Sequence, residues 1–181
     1  MPPRIRLAAA LALLLPLLLS GCTVTPFVRV FSNSAAQQPT TTAGRYYLDT
    51  ICPRNAATYA YDDVRKSQDL ATLHRVAVVA AAASAKAAAG LRAADAPWPE
   101  SLGPQVELLA QSLDLDEQSY DDLAAAPSLQ AAWAVQWPGD TSAGDAKFVI
   151  RKAVGLDTSG QVDDCVGHYS GASVATGDST A

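Results

Sequence analysis

The residues best suited to chemistry in this chain are few: two histidines, three cysteines, three tryptophans and acids that fall in pairs. Cys165-Val-Gly-His168, followed by Tyr169, forms half of a zinc or haem motif. A zinc site takes more ligands than this, and covalent haem attachment takes Cys-x-x-Cys-His, so the half-motif satisfies neither. His74 stands between Leu73 and Arg75, and Asp69, five residues earlier, is off its helical face. That setting suits a partly buried structural histidine. On a second reading His168, Tyr169 and His74 are candidate contacts for a small apolar ligand or haem, while no metal site and no resident cofactor are expected.

The acids give no better case for catalysis. Asp114-Leu-Asp116-Glu117-Gln-Ser-Tyr-Asp121-Asp122 invites a calcium reading. An EF-hand loop needs Gly at its sixth position and Glu at its twelfth, and counting from Asp114 those places hold Ser119 and Ala125. The acids are expected instead to cap a helix and face water. Asp62-Asp63, Asp121-Asp122 and Asp163-Asp164 are pairs of the kind a glycosidase uses, but adjacent helical acids point in different directions. Gly-x-Ser-x-Gly, Ser-x-x-Lys, His-Glu-x-x-His, Walker and dinucleotide motifs do not occur. No catalytic residue is assigned, and a hydrolase is the weakest of three readings. Trp98, between two prolines, and Trp137, before Pro138-Gly139, are candidate partner contacts. Trp133 reads as core.

The start of the chain is more specific. Met1-Pro-Pro-Arg-Ile-Arg6 carries two positive charges and no acid, and Leu7 to Leu19 is apolar apart from Pro16. That run is too short for the roughly 20 residues of a membrane span and suits a secretory signal. It ends in Leu19-Ser20-Gly21-Cys22, which resembles the lipobox of bacterial lipoproteins. The resemblance covers residues 1–22 only. It implies cleavage after Gly21, diacylglycerol on the Cys22 sulfur and acylation of the freed amine. Several acyl chains hold a protein firmly at a membrane where one does so marginally. It also implies an oxidising compartment, where Cys52 and Cys165 are left as an even pair, expected to form a disulfide. Loss of Arg4 and Arg6 takes the net charge from −5 to 11 − 18 = −7. An acidic chain with scattered cations is a poor partner for nucleic acid.

Around these residues the pattern is helical. Thr23 to Phe31 is an apolar stretch and residues 32–43 have the composition of a flexible spacer, so folding is expected from Gly44. The first helix runs from Arg45 to about Gln68, with Tyr47, Leu48, Ile51, Cys52 and Asn55 on one side, a kink or restart at Pro53, and Ala56, Tyr59, Ala60 and Val64 continuing the stripe. Gln68 to Ala94 is Ala-rich, with Leu70, Leu73, Ala77, Ala80, Ser84, Ala87 and Leu91 at 3–4 spacing. His74, Arg75, Lys86 and Arg92 argue against a membrane span there. A third helix is expected to Leu113, a fourth over 116–125, a fifth from Pro127 toward Pro138, and a sixth from Asp145 over 146–154. That last helix would be ended by Gly155 or Gly160, with Ala146, Val149, Ile150, Ala153 and Val154 inward.

The sequence thus predicts an all-α, antiparallel bundle of four to five principal helices, with one disulfide joining the first helix to the C-terminal segment. Its parts are a signal over 1–21, a lipid-anchored tether over 22–43, the bundle over 44–169 and a disordered tail over 170–181. The expected function is a non-catalytic binding or accessory module of the cell envelope, held on the extracytoplasmic face by acylated Cys22 and paired with an envelope protein. A carrier of a small apolar ligand or haem is the second reading.

Overall fold

A computed structural model describes residues 41–139, 143–158 and Cys165. The signal and lipobox with Cys22, most of the tether, His168, Tyr169 and the tail lie outside the described residues. Helix α1 spans Thr42–Val64, α2 Leu70–Leu91, α3 Gly103–Ala124, α4 Leu129–Trp133 and α5 Ala146–Ala153, with a 3₁₀ turn at Glu100–Leu102. There is no strand among the described residues. The fold is an all-α antiparallel bundle, and a disulfide joins Cys52 of α1 to Cys165. Contacts at the helix ends fix the directions. Tyr46, near the start of α1, donates to the Gly90 carbonyl at the end of α2 at 2.8 Å. His74, near the start of α2, meets the Ala126 carbonyl just past α3 at 3.0 Å. So α2 runs antiparallel to both α1 and α3.

Helix α1 begins two residues before Gly44. The Thr41 hydroxyl caps it, accepting from the Gly44 amide at 2.9 Å, and donates to the Val154 carbonyl behind α5 at 2.9 Å. Residues 41–43, expected in the tether, therefore belong to the bundle. Nor does the helix restart at Pro53. Proline costs about 3 kcal/mol in an isolated helix interior, but this ring is exposed, and the preceding turn is held by buried Ile51 and Cys52 and the disulfide. Continuity carries the phase through. From Tyr47 and Ile51 a 3.6-residue period reaches Arg54, Ala57, Thr58, Tyr61 and Val64, which turn inward, whereas Ala56, Tyr59 and Ala60 are exposed.

In α2 the expected 3–4 stripe is observed: Leu73, Ala77, Ala80, Ser84, Ala87 and Leu91 are buried, with Ala81 and Ala88 beside them. Asp69 caps the helix, accepting from the Ala71 amide at 3.0 Å. The small stripe lets α1 come close, so that a Cβ added at Gly90 would stand 2.9 Å from Thr50 Cγ2. No helix among the described residues is long and apolar enough to cross a membrane.

Three elements differ from expectation. The third and fourth segments are one 22-residue helix, α3. Helix α4 ends at Trp133 after five residues, too short to make a stripe, so buried Ala132 faces the core and Trp133 is 53% exposed. In α5, Asp145 holds the cap position without a side-chain cap bond. Only Ala146, Ile150 and Val154 face inward there, an i, i+4 line that leaves Val149 and Ala153 outside. The helix stops as expected at Gly155, whose φ of 78° is open to glycine. The Gly155 amide bonds the Lys152 carbonyl at 3.3 Å and the Leu156 amide bonds Arg151 at 2.9 Å, a Schellman ending that seats buried Leu156.

The apolar interior is divided in two. One cluster, around Leu48, Cys52, Leu91, Val106, Leu113, Ile150 and Cys165, lies toward the disulfide, and the other gathers Ala57, Leu73, Ala80, Tyr120 and Leu123. Each long helix puts polar residues between its contributions to the two: Arg54 in α1, Ser84 in α2, Asp116 and Ser119 in α3. The Ser84 hydroxyl is fully buried and makes no hydrogen bond. Burying an unpaired hydroxyl costs about 1–3 kcal/mol. Ser84→Ala is therefore expected to raise the urea midpoint by a stability gain of about 1 kcal/mol; a loss of that size would reveal a partner for the hydroxyl.

Candidate functional site

At one side the polar layer opens into a cleft of about 260 Å³. The uninterrupted α1 lines it with Arg54, Thr58, Tyr61 and Asp62, Arg65 follows at its C-terminal end, α3 adds Asp116 and Tyr120, and the segment after α4 adds Trp137. At its base the Arg54 guanidinium pairs with the Asp116 carboxylate, whose side chain is only 5% exposed. Arg54 Nε is buried with no hydrogen-bond partner. Thr58 donates back to the Arg54 carbonyl at 3.2 Å, and the Tyr120 hydroxyl reaches Thr58 Oγ1 at 3.5 Å. Toward the rim Arg65 and Asp62 form a looser pair at 3.8 Å.

The aromatic wall is a mutually packed triad. Tyr120 meets Trp137 edge to face at 4.8 Å between centroids and Tyr61 at 5.5 Å, while Tyr61 and Trp137 lie tilted by 35° at 5.5 Å. Such geometries are favoured beyond simple burial. Helix α3 fastens the segment carrying Trp137. Ser112 Oγ donates to the Gly139 carbonyl at 2.8 Å, and Ser119 Oγ lies 2.9 Å from both the Leu115 and Gln136 carbonyls. Gly139 is packed so closely that a Cβ there would overlap the Asp116 carboxylate and approach the Ser112 carbonyl to 2.7 Å.

Burial pushes the Tyr61 and Tyr120 phenols above their usual range. Arg65 opposes this at Tyr61, and the Thr58 hydrogen bond and Arg54 oppose it at Tyr120. With folded-state values raised, the unfolded chain gives up these protons first. Stability should be intact below about pH 10 and fall as pH rises through the folded values. The urea midpoint is expected to drop in that alkaline window, and Tyr61→Phe/Tyr120→Phe to flatten the drop. An equal alkaline loss in that double variant would place the cause elsewhere.

The acids of α3 lie within the helix rather than capping one: Asp121 and Asp122 face water as the sequence suggested, but Asp114 and Asp116 do not. Asp116 is buried against Arg54, and Asp114 pairs with Arg92 at 2.8 Å. Arg92 also binds Glu107 at 3.0 Å and holds that carboxyl below its usual range. With cations from α1 and the end of α2 answering them, the acids sit mid-helix and α3 runs on unbroken. Among the described residues no group of three His, Cys, Asp or Glu side chains is placed to hold a metal ion.

The other sequence candidates are dispersed. Trp98 packs half-buried against the first cluster, donating Nε1 to the Leu91 carbonyl at 2.8 Å and meeting Tyr46 edge-on at 5.4 Å. Trp137 is half-buried in the triad, and His74 is engaged at the end of α3. Trp98, Trp137 and His74 thus belong to different places, and only Trp137 lines the cleft. Sequence reasoning missed Arg54, Thr58, Tyr61, Arg65 and Tyr120. Carrying the helical phase of Tyr47 and Ile51 through Pro53 would have put the α1 members on the inner face. A wider groove of about 500 Å³ is lined by Leu115, Gln118, Ser119 and Asp122 of α3 and, from the segment beyond, by Ala131, Ala134, Val135, Gln136 and Pro138.

Within the cleft, the Thr58 hydroxyl is committed to a backbone carbonyl and the Asp116 carboxylate to a guanidinium. The arrangement offers fixed donors, acceptors and ring faces, which is the equipment of a binding site. No protein family, curated protein or solved structure matches the chain.

Proposed function

We propose that the chain is a lipid-anchored extracytoplasmic protein whose bundle is a non-catalytic binding or accessory module of the cell envelope. The carrying observation is Leu19-Ser20-Gly21-Cys22 behind a basic start and a short apolar run. Acylated Cys22 is the membrane contact, and an envelope protein is the expected partner. The disulfide between Cys52 and Cys165 supports an oxidising compartment, where such bonds persist. The acidic charge leaves attachment to the acyl chains rather than to basic patches on anionic lipid.

The test is metabolic labelling with an alkyne-bearing palmitate in a bacterial host. The wild-type chain is expected to take up label and sediment with membranes, and Cys22→Ser to remain unlabelled. A wild-type chain that is unlabelled and free in the extracytoplasmic fraction overturns the reading. Crosslinking of the labelled chain in its own envelope then reads the partner. Trp133→Ala is a safer surface variant for this than Trp98→Ala, since the Trp133 ring is exposed.

A further inference from the structure

We propose that the cleft between α1, α3 and Trp137 binds a neutral saccharide, seating one sugar ring against Tyr61 and Trp137. The inference goes beyond the anchored-module reading and does not depend on the state of Cys22.

The charges of the cleft decide the ligand class. Its two arginines are each answered by an aspartate: Arg54 by Asp116 at the base, Arg65 by Asp62 at the rim. An anionic ligand would meet two carboxylates and a cationic ligand two guanidinium groups, so a charged ligand of either sign is penalised unless a pair is broken. A cation also lacks its usual receptor. An aromatic cage holds a cation between separated rings, whereas these rings pack on one another at 4.8–5.5 Å and leave no gap between them for a cation. A purely apolar ligand would strip water from Arg54, Asp62, Arg65 and Thr58 without replacing their hydrogen bonds, a cost of about 1–3 kcal/mol for each group left unpaired.

A sugar ring meets these conditions. It is uncharged, it presents C–H groups on a face that packs on aromatic rings, and its hydroxyls both donate and accept. The guanidinium and carboxylate groups are already oriented by their mutual pairing, so little order is lost on binding, and hydrogen bonds to charged groups are the stronger kind. Tyr61 and Trp137 are both half-exposed and line the cleft together with Tyr120, which is buried and packs against both. The volume suits a sugar unit rather than a deeply enclosed ligand, as expected where a longer glycan passes over the site.

The test uses the full chain in a detergent without sugar headgroups. It is titrated with maltotriose, cellotriose and triacetylchitotriose as neutral probes, and with polygalacturonate and chitosan oligomers as charged ones. At least one neutral probe is expected to bind saturably, to alter tryptophan emission, and to protect Tyr61 and Trp137 from hydroxyl-radical labelling while Trp98 and Trp133 stay unprotected. Arg65→Ala, at an exposed position, should weaken binding about tenfold with an unchanged melting curve, and Tyr61→Ala should abolish it. Absence of binding by every neutral probe at millimolar concentration overturns the proposal. So does preference for a charged probe, or protection elsewhere on the surface. Failure of palmitate labelling would sink the anchor and leave this result untouched.

Discussion

Removing one member of the Arg54–Asp116 pair is expected to destabilise the bundle by about 3–5 kcal/mol. In either Arg54→Met or Asp116→Leu, the surviving charge is left in the layer between the two apolar clusters. Asp116 is the more sensitive end, because its carboxylate is only 5% exposed while the Arg54 side chain keeps 19%. The double variant Arg54→Met/Asp116→Leu should recover most of the loss, since well-packed apolar side chains can replace a buried pair at little cost. Urea denaturation of the wild type and three variants forms a double-mutant cycle that reads the coupling directly. If the single variants lose less than about 1 kcal/mol, the pair behaves as a solvated surface contact and the polar layer is not a structural seam. The cycle also bears on the cleft, because the same pair orients the groups at its base.

The second large effect is expected at the disulfide. Cys52 and Cys165 are 113 residues apart, and closing a loop of that length is worth roughly 4–5 kcal/mol in the chain-entropy model. Cys52→Ala/Cys165→Ala should lose an amount of that order, with a larger denaturant slope because the unlinked chain exposes more surface on unfolding. Both sulfurs lie in the first apolar cluster, Cys52 wholly buried and Cys165 nearly so. Reductant should therefore act slowly on the native protein and quickly once it is unfolded. An unchanged midpoint in the double variant would mean that α1 and its neighbours hold this end of the bundle without the crosslink.

Local pattern made several parts of the fold legible. The 3–4 spacing of the Ala-rich run defined the inner face of α2 from Leu73 to Leu91, with Leu70 half-buried at its start, and Gly155, one of two glycines the sequence offered, marked the end of α5. Helix period, capping residues and left-handed glycine positions are properties of neighbours in sequence, and these suffice where no distant residue intervenes. The cysteine pairing was legible for a different reason: the lipobox resemblance set Cys22 aside and left one even pair.

The site was the part least legible. A proline mid-helix is a local signal to stop, and it was overridden because buried Ile51 and Cys52 and the crosslink hold the turn around Pro53. Reading a kink or restart there placed Ala56, Tyr59 and Ala60 inward instead of Arg54, Thr58 and Tyr61, although Val64 does turn inward. Acids at 114–117 are a local signal to begin a helix, and it was overridden because Arg92 and Arg54 answer Asp114 and Asp116. Trp133 lost its place in the core when α4 closed after five residues, and Trp137 gained one by packing on tyrosines from two other helices. By itself, then, the sequence determined the helical class and the face of α2, because each is written in residues a few positions apart. Only the tertiary structure decided which charges meet and which rings gather, because Arg54 and Asp116 lie 62 residues apart, and whether they pair depends on which helices become neighbours.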